Sequence, residues 1–316
     1  MPLNTNLTST GGLNDASAIF YDRKLLTRLM FSLFFQENAE KRTLPKGSGT
    51  QIQFLRPVNQ AAVTSPIGEG VNPSGLVWQS TKILCTPVQY GAYVAYSDRL
   101  MLEAYDNITE AIHDVLGYQA GLSLDTICRN AISGNMTLQY TGVANTEGTV
   151  SVVTAGVDFR KASAHLRAKA VMPFEDGTYH GIVHPNTSFD LQSDTAVSGW
   201  IELNKYISID KVHEKALAGE LGKLYNIRFQ ESQNVLTGLG AGNPAAVTYH
   251  SWVFGKESFG AVDVANQGIQ KIVHQPGDSG VADPLNLNGS IGWKTYAVFP
   301  VLDSDRAIEL IGASAA

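Results

Sequence analysis

Between Thr50 and Val58, polar Gln51 and Gln53 alternate with apolar Ile52 and Phe54, the period of two expected of a strand whose faces meet different surroundings. A second β-rich run extends from Leu76 to Tyr96 and contains Val77, Ile83, Val88, Tyr93 and Val94. The residues between them, Asn59 to Gly75, carry Pro66, Gly68, Gly70, Pro73 and Gly75 and read as a turn-rich tip rather than a core segment. Nine residues of strand reach about 30 Å, and a two-stranded ribbon with nothing against it is marginal in water. An irregular tip of this length is out of place in a compact domain unless it has a partner elsewhere. The expected partner is another copy of the chain.

Helical periodicity marks two further segments. From Ile19 to Asn38, Leu25, Leu26, Leu29, Met30, Leu33 and Phe34 fall on one stripe, and Lys41 to Gly49 is expected to end the helix with basic residues, a proline and two glycines. Leu26, Leu29, Met30, Leu33 and Phe34, together with Glu69 and Gly70 at the ribbon tip, are the candidate subunit-interface residues. The polar leader Met1 to Gly12 is expected to be ordered by neighbouring subunits. A longer helix is expected over Ile108 to Ile132, opened by Asn107 and Glu110 as a capping box, with Ile108, Ala111, Ile112, Val115, Leu116, Leu122, Ile127, Cys128, Ala131 and Ile132 as its apolar face. At 1.5 Å per residue this is a rod of roughly 37 Å. Gly117 and Gly121 each weaken an exposed helix by about 1 kcal/mol relative to alanine and are read as places where another backbone passes close by.

From Met136 onward the elements shorten, and a second domain is expected there. Asp158 is read as the cap of a helix with Phe159, Ala162, Leu166 and Ala170 inward. A strand over Tyr179 to His184 follows, then short helices and loops to Tyr225, a strand near Ile227 to Gln230, and a glycine-rich surface loop, Gly238 to Pro244. The close is mostly strands: Val247 to Phe254, Phe259 to Val264, Ile269 to His274, Ile291 to Leu302 and Ala307 to Ile311. With neither βαβ alternation nor an internal repeat, the fold class is α+β.

Charge and composition narrow the function. The chain has 316 residues and a hydrophobic fraction of 44%, enough for a sizeable core. A formal charge of −6 argues against a dominant basic field for nucleic acid. Arg23, Lys24, Arg28, Lys41, Arg42 and Lys46 nonetheless make the first segment locally basic, either as a solvated helix face or as a contact for nucleic acid. Cys85 and Cys128 form neither a CxxC pair nor a disulfide framework, so a reducing compartment is expected. No signal sequence or spanning segment is read.

Candidate chemistry is sparse. Gly277-Asp278-Ser279-Gly280 matches the string around a serine-protease nucleophile but lacks the supporting histidine context, and reads as a turn. Gly238 to Gly242 lacks the Gly-Lys-Ser/Thr ending of a phosphate cradle. His180 and His184 would share one face of a strand, without a third ligand at supporting spacing. Catalytic, cofactor and metal residues are therefore expected to be none.

Several strings, in order and spacing, carry a resemblance. They are Leu44-Pro45-Lys46-Gly47, Gly68-Glu69-Gly70-Val71-Asn72-Pro73, Gln89-Tyr90-Gly91, Gln119-Ala120-Gly121-Leu122-Ser123-Leu124-Asp125, Gly219-Glu220-Leu221-Gly222, and Asp283-Pro284-Leu285 with Gly292-Trp293-Lys294. From about Tyr21 to the end the chain resembles the major capsid proteins of tailed bacteriophages, in particular the group typified by the coliphage N-four capsid protein. The resemblance implies the Hong Kong ninety-seven-like capsid fold: an N-terminal arm over 1–48, an extended loop over 49–98, and a peripheral domain with a spine helix over 99–149. An axial domain over 150–233 follows, with closing strands, mainly of the peripheral domain, over 234–316. It also implies self-assembly through pentamers and hexamers into an icosahedral shell around a DNA genome, formed in the bacterial host cytoplasm and residing in the virion.

Implied partners are further copies of the chain, scaffolding, portal and decoration proteins, and packaged double-stranded DNA through non-specific contacts, with no membrane. The start of the chain carries no long scaffolding segment, so a separate scaffolding protein is expected. The lysine–asparagine cross-linking of some relatives has no matching motif here. Two alternatives are an encapsulin-type compartment of the same fold and, from another class, a soluble hydrolase using Ser279.

Overall fold

The structure is a computed structural model that describes residues 34–70, 72–103, 108–194, 220–242, 245–265, 268–277 and 284–315. The expected leader, most of the first helix with Leu26, Leu29, Met30 and Leu33, the Asn107 cap and the Asp278 to Gly280 turn lie outside the described residues.

The described residues open in helix α1 (Phe34–Glu37), which turns at once into strand β1 (Glu40–Leu44), where the end of a helix was expected. Tertiary pairing overrides the basic, helix-ending pattern: β1 lies parallel to β11 (Gly260–Val264) from Glu40 beside Gly260 to Leu44 beside Val264. Asn38 makes the corner, its side-chain amide donating to the Phe34 carbonyl while its Oδ1 lies 2.7 Å from His180 Nδ1.

The ribbon consists of β2 (Ile52–Pro57) and β3 (Ser80–Cys85), antiparallel with Ile52 opposite Cys85 and Pro57 opposite Ser80. The run read as one return strand is in fact two. After Cys85 the chain starts β4 (Val88–Ser97), which leaves the ribbon and pairs along its length with β13 (Asn288–Ala297); β12 (Gln270–His274) completes this three-stranded sheet. A short helix, α2 (Asp98–Glu103), follows β4.

Helix α3 (Ile108–Ile132) runs its full expected length of 25 residues. Leu116, Ala120, Leu124, Cys128 and Ile132 recur every fourth residue and are all buried. The first two of these pack with Tyr96, Ile291 and Trp293 on the three-stranded sheet. The last three pack with Trp252 and Phe254 on the central sheet, and with Phe35 and Phe259 beside it. One rod thereby spans two cores. Gly117 and Gly121 are buried, whereas Val115 and Leu122 of the expected apolar face are exposed.

The central sheet has seven strands among the described residues, in the order β5 (Thr137–Tyr140), β14 (Ala307–Ala313), β10 (Ala245–Phe254), β6 (Tyr179–Val183), β8 (Ile227–Glu231) and β7 (Glu220–Leu224), with β9 (Thr237–Gly242) also on β10. One edge of β10 is shared: Ala245 to Tyr249 pair with β9, and Trp252 to Phe254 pair with β6. Strand alternation sorts the two faces. Trp252 and Phe254 join the α3 core, while Val253, Ile308 and Leu310 join the core formed with α4 (Gly156–Ala168). There Phe159 meets Phe229 edge to face at 4.9 Å. Leu191 of α5 (Pro185–Ser193) enters the same core.

Three local expectations change. Asp158 is not the cap of α4 but sits one turn inside it, where its carboxylate accepts the Ala155 N–H at 3.3 Å. Ala170 is exposed with φ +55°, in the turn that ends the helix, and does not face inward. Gly238 to Gly242 is not a loop but part of β9: a Cβ on Gly240 would collide with the Val150 carbonyl, so the close backbone approach requires glycine there.

Candidate assembly surfaces

The ribbon is fixed to the body at its base. Arg56 pairs with Asp303 at 2.7 Å, Phe54 rests beside Gly260, and Cys85 is buried. On the opposite face Leu55 and Leu84 are exposed. The last rung is the Val58 N–H donating to the Gln79 carbonyl at 3.0 Å. Beyond it, the Gln60 side chain donates to the Val77 carbonyl, and Val63, Ile67, Leu76, Val77 and Trp78 are all exposed, Trp78 to 69%. These large apolar side chains are gathered at the tip, away from the cores, which makes the tip a candidate contact surface. Glu69 and Gly70 stand exposed in this tip, Gly70 with φ +79°.

The entry of the arm is fixed from inside. Phe35 is completely buried, edge to face with Trp252 at 5.2 Å and Phe254 at 6.5 Å. Its N–H donates to Asp125 Oδ1 of α3 at 3.1 Å, and Asn234 Nδ2 donates to Asp125 Oδ2 at 2.8 Å. Arg129 in turn donates to the Asn234 carbonyl and side-chain oxygen, both at 2.9 Å. Burial pushes the Asp125 carboxyl up, against the hydrogen bonds from Asn234 and Phe35 and the nearby Arg129 charge. Phe34 packs, half-buried, on this same core of its own subunit. Sequence reasoning missed the Asp125 joint, although a carboxylate between Leu124 and Cys128 on a buried helix face was its signal.

Two more exposed apolar groups were also missed. Val115, Tyr118 and Leu122 form a stripe on the outer face of α3. Leu100, Met101 and Leu102 of α2 are exposed, as are Leu285 and Leu287, whose strand-end carbonyl at Leu287 accepts the Asp98 N–H at 2.9 Å.

The residues considered for chemistry do not converge. His180 is in β6, stacked on Phe174 at 4.0 Å; His184 lies beyond the strand's end, stacked on Tyr249 at 4.4 Å, with its Nδ1 accepting the Asn186 N–H. They do not share a strand face as expected, because the strand ends at Val183 and the next helix begins. Burial pushes the His184 imidazole down. No cluster of metal-ligating side chains occurs among the described residues. Cys85 and Cys128 are free and buried, and burial raises both thiols. No helix among the described residues is long and apolar enough to cross a membrane.

These features define an α+β fold with a rod across two cores, a projecting ribbon, and apolar groups left uncovered at its periphery among the described residues. Solved structures of the same architecture are phage capsid subunits. The capsid of Ralstonia phage GP4 matches with a TM-score of 0.69 and 13% identity over 88% of this chain and 87% of that one. The cyanophage Pam1 capsid matches at 0.63 and 16% identity over 88% and 89%, and the head of Helicobacter pylori bacteriophage KHP40 at 0.60 and 11% over 90% of each. The chain has the Hong Kong ninety-seven-like capsid fold. No protein-family model matches, and no curated protein sequence matches.

Proposed function

We propose that this chain is the major capsid protein of a tailed bacteriophage, assembling through pentamers and hexamers into the icosahedral shell that encloses the DNA genome. The observation that carries the reading is the near-complete correspondence with capsid subunits, 88% of this chain against 87% of the Ralstonia phage subunit. The sequence strings from Leu44 to Lys294 support the coliphage N-four-type group within that fold. The ribbon tip is the reach to a neighbouring subunit, and the segment carrying Leu26, Leu29, Met30 and Leu33 is the second interface. The basic residues of that segment suit non-specific contact with packaged DNA. Portal, scaffolding and decoration proteins complete the set of partners, and the shell forms in the host cytoplasm. Its role is structural, without catalysis.

Electron microscopy of particles recovered from phage-producing cells, with a nucleic-acid assay, tests the reading. Closed shells holding genome-length DNA are expected; shells holding a protein cargo would mark a compartment instead, and a persistent monomer would overturn both. Ser279→Ala is expected to leave shell formation unchanged and to remove no hydrolytic activity. Loss of ester or peptide turnover in that variant would defeat the structural assignment.

A further inference from the structure

His250 stands in the middle of β10, buried, on the side of the central sheet that meets the end of α3. Its Nδ1 lies 2.6 Å from Glu309 Oε1 on β14, and its Nε2 lies 3.1 Å from Glu147 Oε1 in the turn between β5 and α4. Glu309 has no solvent exposure, and it also accepts the Ser133 hydroxyl at 2.9 Å and the Gly134 N–H at 2.7 Å, just past the end of α3. The Glu147 carboxylate also accepts the Thr248 hydroxyl at 2.8 Å and fills the space over Gly238 of β9, where a Cβ would collide with it. Glu309 and Glu147 are the charged groups facing the imidazole. The end of α3 presents a hydroxyl and an amide to Glu309, β9 presents a glycine to Glu147, and β10 adds Thr248 and the Trp252 ring at 6.1 Å.

The geometry points to a proton-controlled latch: an imidazolium on His250 ties buried Glu309 to partly exposed Glu147, clamping the turn at 146–149 onto β9 and β10 of the central sheet, and loss of that proton releases Glu147. The reason lies in donor arithmetic. An imidazolium donates from both nitrogens, whereas a neutral imidazole donates from one and presents a lone pair at the other. Both carboxylates can be satisfied together by the charged ring alone. When the proton leaves, Glu309 keeps the remaining donor, because it is fully buried and water cannot replace the bond. Glu147 then faces a lone pair, and its side chain, 35% exposed, can turn to solvent.

The electrostatics agree in sign. Burial pulls the His250 imidazole down, but the bonds and charges of Glu309 and Glu147 outweigh it and leave the group above its ordinary value. For Glu147 burial pulls up, while the bonds from Thr248 and His250 and the imidazole charge leave it below the usual carboxylate range. A raised histidine contributes stability that is complete below about pH 6.5, its unfolded value, and is lost as pH rises through the folded value. A depressed glutamate contributes stability that is complete above about pH 4.3, its unfolded value, and is lost as pH falls through the folded value. The latch is therefore closed between the folded value of Glu147 and that of His250, and it opens as pH rises through the latter.

Hydrogen–deuterium exchange of the full chain at pH 6 and pH 9, corrected for intrinsic rates, tests this. The reporters are the Thr149 and Val150 amides, which close the turn, and the Ala241 amide, which donates to the Val150 carbonyl. In the wild type their protection should fall on going to pH 9 by roughly tenfold for each unit by which His250 is raised, while residues 156–168 of α4 stay constant. In Glu147→Gln the side-chain amide can donate to a neutral Nε2, so reporter protection should remain level across the same range. A level wild-type profile, or a wild-type fall that persists unchanged in Glu147→Gln, would overturn the latch. Constant protection of α4 in both proteins guards against mistaking global unfolding for release of the turn.

Discussion

Deleting residues 1–33 is expected to leave a folded subunit that no longer closes shells, whereas a cut two residues longer, through Phe35, destabilises the subunit itself. The boundary follows from where the side chains go. Phe35 is completely buried between Trp252 and Phe254, and its N–H satisfies Asp125 on α3. Truncating a buried phenylalanine to alanine costs about 3–5 kcal/mol, against a total stability of about 5–15 kcal/mol for a typical domain. Losing Phe35 also leaves the buried Asp125 carboxylate without one of its donors. Of the expected stripe, Leu25, Leu26, Leu29, Met30 and Leu33 lie within the deleted residues and Phe34 stays, and each such side chain contributes roughly 1.5–3 kcal/mol wherever it is buried. Circular dichroism should give the 34–316 chain the wild-type unfolding midpoint, with Phe35→Ala in the full chain lower by several degrees. Sedimentation should show the 34–316 chain stalled at small oligomers. Full-sized shells from the shortened chain would show that the first segment is dispensable, and an unchanged midpoint in Phe35→Ala would show that the anchor is not where the core depends on it.

The elements that were legible in the sequence are those whose pattern is decided locally. The bounds of the long helix were found to the residue, although its buried stripe at 116, 120, 124, 128 and 132 only partly coincides with the expected apolar face, which left out Ala120 and Leu124 and took in exposed Val115 and Leu122. Strands β10, β11, β12 and β14 were placed within two residues of their observed ends. What failed depended on distant partners. Glu40 to Leu44 carries charges that suit a helix end, and it is a strand because the edge of β11 lies open beside it. The glycines of β9 suggested a loop, since the reason for having no side chain there is the backbone of Val150, more than 80 residues away in sequence. The Leu76 to Tyr96 run read as one strand; Pro87 marks the break between β3 and β4 locally, but the partner that draws β4 away from the ribbon, β13, lies almost 200 residues later. The peripheral surfaces divide the same way. Glu69 and Gly70 were visible through the turn chemistry around them, while Tyr118 and Leu122 became identifiable only after the opposite face of α3 was seen to be filled.

Replacing residues 59–78 with Asn-Gly should abolish shell closure while leaving the isolated subunit as stable as the wild type. The observed register defines the graft: Val58 and Gln79 form the last hydrogen-bonded rung, and Asn-Gly is suited to a two-residue turn between paired strands. The excised segment contributes little to its own subunit, since Val63, Ile67, Leu76, Val77 and Trp78 are all exposed. The base of the ribbon remains, held by the Arg56–Asp303 pair and by Phe54 against Gly260. Five large apolar side chains at roughly 1.5–3 kcal/mol each, if buried on a neighbour, represent a contact whose loss a marginal interface does not survive. In a closed symmetric assembly the same loss recurs at every equivalent position. Glu69→Lys makes a milder test within the intact tip: reversing an exposed charge costs its own subunit little, but it sets like charges together if the tip meets a basic group. Sedimentation with circular dichroism on both variants separates the outcomes. A shortened chain with a lowered unfolding midpoint would place the tip in its own subunit's core, and full-sized shells from that chain would show that the ribbon's reach is not what joins one copy to the next.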